Sequence, residues 1–389
     1  MRVFEQDISL ADMEKWQLAR LNEQIAWAAA HCAFYRRLTG VRLASLAELS
    51  RLPFTTAADI SERGEDMVCV PAASVQRIVS LHTSGTSGPW KRLQFTADDL
   101  ELTVAFFAVG MGYMCRPGDK VLICMPGVAE DGIGQLLARG LRRLGAEPVL
   151  AGPISDYEAA ASLLRQERPH TIVGIPAQIR RLALTAPDAP PVNVLLSADR
   201  ISPALRRTVE RVWGCEVFEH YGLTETGLGC AVECPAHQGM HLRHDALYLE
   251  IVDPADGRPL PAGQWGEIVF STLTRQAMPL LRYRTGDRGR LLAGPCGCGC
   301  GLPRLDTVAG RYAELARPCS VYRLDDLLQG EDGILDYTAR LSGDTLQLEV
   351  AGDAELAARL AGESWPELTV TARPGPGFVT RGTAKRQVL

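Results

Sequence analysis

Apolar residues recur at helical spacing over residues 9–38, at Leu10, Met13, Trp16, Leu18, Leu21, Ile25 and Trp27. A 3.6-residue turn brings such positions to one face, so this stretch predicts one or two amphipathic helices. From about 79 to 220 the pattern changes. Short apolar runs at 121–125, 148–150, 171–175 and 192–196 alternate with helical stretches at 96–113, 132–144, 156–167, 177–186 and 203–213. Continuous apolar runs suit strands covered on both faces, and the alternation predicts βαβ units around a largely parallel sheet. After 214 strand-like segments at 246–252, 266–273 and 278–284 are separated by turns rich in proline and glycine, a β-rich subdomain over about 214–310. Gly310-Arg311 reads as a hinge. Strands at 346–350 and 368–371 and a helix at 353–361 give residues 311–389 a small α+β domain. The predicted class is α/β, with a large domain over 1–310 and a short one over 311–389.

Composition narrows the function. Hydrophobic residues make up 46% of the 389 positions, enough for a large core, and the formal charge is −5. An acidic chain without a basic stripe is a poor match for nucleic acid. Lysines and arginines scattered through the helical stretches read as a solvated face. The first residues lack the pattern of a secretory leader, and no apolar run approaches ~18 residues, so a membrane span is not expected. Eleven cysteines in a chain of this kind point to a reducing compartment, and the expected location is the cytoplasm.

Residues 82–91, His-Thr-Ser-Gly-Thr-Ser-Gly-Pro-Trp-Lys, follow the apolar run 79–81 and carry the first candidate chemistry. Glycines let backbone N–H groups turn onto an anion, and hydroxyls add donors. An ordinary turn accounts for such a loop as well. A P-loop is excluded, because the glycine-lysine-hydroxyl ending is missing. Further on stand Tyr221-Gly-Leu-Thr-Glu225, Tyr283-Arg-Thr-Gly-Asp287 and Gly310-Arg311. With the first loop, and in this order, they resemble the acyl-adenylate-forming enzymes, and within them the phenylacetate–CoA ligases. Trp16, Phe34-Tyr-Arg-Arg37, Leu52-Pro-Phe-Thr-Thr56 and the strings 267–274 and 279–284 are similar to the same family.

The resemblance implies an AMP-forming acid–CoA ligase using ATP, Mg²⁺ and CoA, with a small mobile C-terminal lid. Thr83, Ser84, Gly85, Thr86, Ser87 and Gly88 would cradle pyrophosphate, and Lys91 could add a charge; a solvent-facing lysine is the alternative. Tyr221 would stack on adenine beside Gly222. Thr224 would meet the α-phosphate, and Ser197, Ala198 and Asp199 would line the adenine pocket. Asp287 would accept from the ribose hydroxyls, and Arg311 would face the nucleotide. Glu225 is the expected Mg²⁺ ligand, since that ion takes one or two protein carboxylates plus phosphate oxygens. The acid would lie over 127–134 and near Tyr221-Gly222; phenylacetate ligases carry aromatic residues where this chain has Gly127-Val-Ala-Glu-Asp131-Gly-Ile. The family's closing lysine sits in Gly-Lys-x-x-Arg. Here Gly382-Thr383-Ala384-Lys385-Arg386 puts threonine in its place, and Lys385, two positions on and roughly 6.6 Å along an extended chain, is the catalytic candidate.

A metal site is the last expectation. Cys234, His237 and His241 are followed by Cys296, Cys298 and Cys300, types and spacing that can close a tetrahedral Zn²⁺ site. Some relatives hold structural zinc through a cysteine and a histidine plus a Cys-x-Cys. Aligned on Pro303-Arg304, the resemblance selects Cys234, His241, Cys296 and Cys298, with His237 as substitute and Cys300 as the extra. The expected partners are a small carboxylic acid, ATP and CoA, with a homodimer as a candidate assembly. Two rivals remain: an adenylate-former with another acceptor, and a catalytically silent nucleotide-binding homologue.

Overall fold

A computed structural model of the chain describes residues 9–82, 90–127, 130–376 and 388. The chain divides into two units: Met1–Tyr113 with His220–Ala309, and Met114–Glu219 with Gly310–Leu389. Residues 310–389 thus share a unit with the parallel sheet.

In the first unit the N-terminal pattern forms one helix, Leu10–His31, capped by Ser9, whose side chain accepts from Asp12 N–H at 3.1 Å. Its buried Gln17 and Gln24 donate to the carbonyls of His244 and Arg275 at 2.9 and 2.8 Å. The strands Arg77–His82 and Trp90–Phe95 pair antiparallel. The helix Ala97–Met111 starts with a reciprocal cap between Thr96 and Asp99. The β-rich part is an antiparallel run of Leu247–Val252, Gly266–Thr272 and Tyr283–Gly289.

The strand expected at 278–284 is corrected: it begins at Tyr283 and runs to Gly289. Pro279 cannot donate to a ladder, and Arg282 adopts φ +48°, which no strand residue holds. Arg282 is instead a buried anchor, donating to Glu250 at 3.1 Å and to the carbonyls of Ser50 and Leu52 at 2.8 Å each.

In the second unit the parallel sheet has the order Glu147–Leu150, Lys120–Cys124, Thr171–Gly174, Asn193–Leu196 and the first residues of Glu216–Tyr221. The inner strands are buried at nearly every position, which explains why they read as unbroken apolar runs. The helices Ile133–Leu144, Tyr157–Glu167, Pro176–Thr185 and Pro203–Trp213 occupy the predicted stretches, and the last two start on proline, whose missing N–H is an orphan there in any case.

The terminal part of this unit adds the helix Val321–Leu328, the hairpin Ile334–Ser342 with Thr345–Gly352, the helix Ala354–Ser364 and the strand Thr369–Pro374, around a core that includes Leu324, Tyr337, Leu348 and Trp365. Arg180 fastens it to the helix Pro176–Thr185. The expectation that helical arginines face solvent fails at Arg180, which is only 2% exposed. It donates to the carbonyls of Gln329 (2.6 Å), Glu331 (2.7 Å) and Ile334 (2.8 Å). Its charge faces the C-terminal end of the helix Val321–Leu328, where orphan carbonyls favour a cation.

Candidate active site

Tyr221 ends a strand, and Gly222–Gly227 turns sharply away from it. Thr226 ties the turn by donating from Oγ1 to Leu223 O at 2.8 Å and accepting from Leu223 N–H at 3.0 Å. A Cβ on Gly222 would stand 2.7 Å from the Leu228 carbonyl, so only glycine fits at that point. The strand Tyr283–Gly289 clasps both ends of the Tyr221–Glu225 string. Side chains two apart on a strand share a face, and Tyr283, Thr285, Asp287 and Gly289 are the buried positions of its alternating pattern. Asp287 accepts from Tyr221 OH at 2.8 Å, and Tyr283 OH donates to Glu225 Oε1 at 2.9 Å.

Glu225 is 5% exposed. Lys91 Nζ, itself buried, reaches the same Oε1 at 2.5 Å, and Arg275 Nη1 donates to the Glu225 carbonyl at 2.9 Å. Burial pushes the Glu225 carboxyl up, but the charge and hydrogen bond of Lys91, its own backbone N–H and Tyr283 outweigh that, and the group lies below the ordinary range. It is therefore an ionised oxygen donor at neutral pH, the chemistry Mg²⁺ takes. Tyr221 is pushed well above its usual pKa by burial and by the negative Asp287, so it remains a neutral phenol.

The structure brings Lys91, Tyr221, Gly222, Thr224, Glu225 and Asp287 into one unit. Lys91 departs from the solvent-facing alternative. Its bond to Glu225, 134 residues away, and the bond from Tyr283 were not foreseen from the sequence. In the other unit Ser197 continues the sheet through its N–H to Gly174 O at 3.0 Å, and Ala198 adopts φ +75°. Asp199 accepts from Arg200 N–H at 2.9 Å. Arg200 lies 5.0 Å over the Tyr322 ring, and Arg311 N–H donates to Tyr322 OH at 3.2 Å. Tyr322, which no motif marks, thus joins two predicted segments. Gly310 at φ +125° makes this approach possible, because a Cβ there would stand 2.3 Å from the Tyr322 ring. Thr83, Ser84, Gly85, Thr86, Ser87, Gly88 and Lys385 lie outside the described residues, as do 128–129 of the expected acid-facing stretch.

Cys234, His241, Cys296 and Cys298 come together with all ligand atoms within 4.8 Å of one another. Cys234 and Cys296 Sγ are 3.6 Å apart, and Cys298 Sγ is 3.4 Å from His241 Nε2. A tetrahedron with Zn–S near 2.3 Å and Zn–N near 2.0 Å separates its ligands by about 3.5–3.8 Å, so the donor set fits zinc. Burial, with Arg304 and His244 adding to it, lowers His241 to about 4, which keeps the imidazole neutral as a ligand must be. Tyr113 stacks on that ring. His237 pairs instead with Glu233 at 3.3 Å, and Cys300 closes the loop through its carbonyl to Cys296 N–H at 2.8 Å.

Residues 22–276 match the AMP-binding enzyme family. The chain is 32% identical over 319 residues to phenylacetate-coenzyme A ligase of Thermus thermophilus, covering 77% of this chain and 70% of that protein. It is 31% identical over 328 residues to the Escherichia coli enzyme of that name, covering 79% and 73%. Among solved structures, 2-hydroxyisobutyryl-CoA ligase in the postadenylation state with 2-HIB-AMP superposes with a TM-score of 0.83 at 22% identity, over 99% of this chain and 90% of that one. Among the described residues no helix is long and apolar enough to cross a membrane.

Proposed function

The chain belongs to the AMP-binding enzyme family, and we infer from this that it is an AMP-forming acyl–CoA ligase. A carboxylate oxygen attacks the α-phosphorus of ATP, the bond to the bridging oxygen breaks, and pyrophosphate leaves. The CoA sulfur then attacks the acyl carbon and AMP departs. The observation that carries the reading is the clasp of Tyr221–Glu225 by Tyr283 and Asp287, which holds an ionised carboxylate and a neutral phenol at fixed places in one unit.

In this reading Tyr221 offers a flat face to adenine and Asp287, already its acceptor, turns its other lone pairs to ribose. Thr224 donates to the α-phosphate. Glu225 would hold Mg²⁺, which when bound supplies positive charge at the phosphates. Lys91 keeps Glu225 ionised until then and is placed to follow the phosphate charge. Ser197, Ala198, Asp199 and Arg311 take the nucleotide roles expected of them, residues 83–88 the pyrophosphate, and Lys385 the closing cation. Cys234, His241, Cys296 and Cys298 would hold a structural zinc ion. A reducing cytoplasm suits a chain whose eleven cysteines form no disulfide.

The experiment is ATP-dependent pyrophosphate release across a panel of carboxylic acids, followed by thioester formation on adding CoA. Glu225→Gln should lower pyrophosphate release at least a hundredfold, on the order of a lost transition-state electrostatic contact. Undiminished release by that variant at equal Mg²⁺ removes Glu225 from the role. Release without thioester reassigns the acceptor.

A further inference from the structure

The backbone of Glu225 is gripped as well as its carboxylate. Arg275 Nη1 donates to the Glu225 carbonyl at 2.9 Å. The guanidinium lies 5.0 Å over the ring of Phe95, the last residue of the strand that carries Lys91. Two residues after Glu225, Gly227 passes so near that a Cβ there would stand 2.8 Å from Arg275 Nη2. Thr103 Oγ1 donates to the Gly227 carbonyl at 2.7 Å and fixes that end of the turn. Ring and turn together confine the guanidinium.

The root of Arg275 is pinned by other contacts. Its carbonyl accepts from Gln24 Nε2, on the N-terminal helix, at 2.8 Å. The next two N–H groups, of Gln276 and Ala277, donate to the carboxylate of Asp99 at 2.8 and 3.0 Å. Asp99 lies in the first turn of the helix Ala97–Met111. Arg275 thus spans from a fixed backbone to one carbonyl, with only 8% of its surface exposed. Burial disfavours its charge, and the negative Asp99 and Glu225 favour it. A hydrogen bond from a charged donor is roughly twice as strong as a neutral one, so this contact restrains the turn more than an ordinary turn bond does.

A carboxylate that takes a metal must point at it. Lys91 and Tyr283 both meet Glu225 at Oε1. They fix one oxygen, and the swing of the other about it follows from where the backbone stands. We propose that Arg275 is a positioning residue for adenylation, holding the Glu225 backbone so that the carboxylate faces the Mg²⁺ carried by ATP. It acts through the turn and not on a reactant. The proposal rests on the ligase reading and on Glu225 as the Mg²⁺ ligand within it.

The test is calorimetric titration of the full chain with ATP and no acid, once with excess Mg²⁺ and once with EDTA. ATP should bind the wild type at least tenfold more tightly with Mg²⁺ than with EDTA. In Arg275→Met that factor should fall to threefold or less, in line with loss of a group that orients a metal ligand. Its affinity in EDTA should stay within twofold of wild type. Arg275→Lys keeps the charge and one donor without the fork. Its factor should lie between the two, at most half that of wild type, and it carries the test alone if Arg275→Met does not fold. A merely structural role lowers the melting temperature and moves both titrations together, or neither. An unreduced factor in the variants, equal losses with and without Mg²⁺, or a wild type whose ATP binding ignores Mg²⁺ overturns the proposal. The titration needs neither acid nor turnover. A wild type that binds ATP with Mg²⁺ yet releases no pyrophosphate with any acid fails the ligase reading, and Arg275 is still judged by its own titration.

Discussion

Lys91→Met tests the electrostatics at Glu225. The two side chains are 11% and 6% exposed and meet at 2.5 Å. Removing the lysine leaves a buried carboxylate with Tyr283 as its remaining side-chain donor. Breaking one partner of such a pair destabilises by about 3–5 kcal/mol. The sign with pH follows from the direction of the shift. In the wild type Glu225 lies below its ordinary 4.5, so its contribution is fully present above that value and is lost as pH falls through the folded pKa. In Lys91→Met the main lowering influence is gone and burial prevails, so the folded pKa rises above 4.5. The deficit should then be largest at pH 7–8 and shrink towards pH 5, as protonation relieves the carboxylate. Urea unfolding of wild type, Lys91→Met, Glu225→Gln and the double variant, each at pH 5, 6, 7 and 8, measures this. The double variant should lie within about 1 kcal/mol of Glu225→Gln, because the charge that needed Lys91 is no longer there. A Lys91→Met deficit under about 1 kcal/mol, independent of pH and additive with Glu225→Gln, would refute the reasoning.

Elemental analysis of protein purified without chelator should find about one zinc per chain, and Cys296→Ser should lower both metal content and thermal stability, since metal binding is coupled to folding; a fully folded, metal-free wild type removes the assignment. Arg180→Met removes the donor shared by the carbonyls of Gln329, Glu331, Ile334 and Leu335, of which Gln329 keeps Thr208 Oγ1 and Glu331 keeps Ile334 N–H; it should destabilise by about 1–3 kcal/mol, seen as faster hydrogen exchange in residues 329–337; unchanged exchange there counts against it. Lys385→Ala should slow acyl-adenylate formation far more than conversion of supplied acyl-adenylate to thioester, because charge builds at the α-phosphate only in the first step; equal loss in both steps, or none, removes Lys385 from the role.

The sequence was most readable where one local signal decides the outcome. The helices of the parallel-sheet unit follow their apolar periodicity to within a residue or two, since each buries one face against the sheet. The Tyr221–Glu225 string and Asp287 were visible because each lies in a contiguous motif. The contacts that join them were not. The lysine facing Glu225 comes from 134 residues earlier, and nothing in the composition around Lys91 distinguishes it from a solvated lysine. Arg180 and Arg181 are adjacent in sequence, yet Arg180 is enclosed by carbonyls and Arg181 lies over the Tyr157 ring. Which of two neighbouring arginines is buried depends on a segment some 150 residues away. The 278–284 stretch looked like a strand because its apolar residues are indeed buried. Pro279 and the φ of Arg282 decide the backbone there, and hydropathy does not report either.

The seating of the N-terminal helix sets a timetable for biosynthesis. Gln17 and Gln24 find their acceptors 227 and 251 residues further along the chain. At 5–20 residues per second the ribosome takes on the order of 10–50 s to deliver those acceptors. Until then the 22-residue helix has only the nearby segments Arg36–Leu38 and Leu46–Arg51 to pack on, and its two buried-to-be amides lack their acceptors. The intervening residues 114–219 belong to the other unit and leave the ribosome first. Nascent chains halted before about residue 276 should therefore carry an unprotected N-terminus, open to proteases and to chaperones that recognise amphipathic helices.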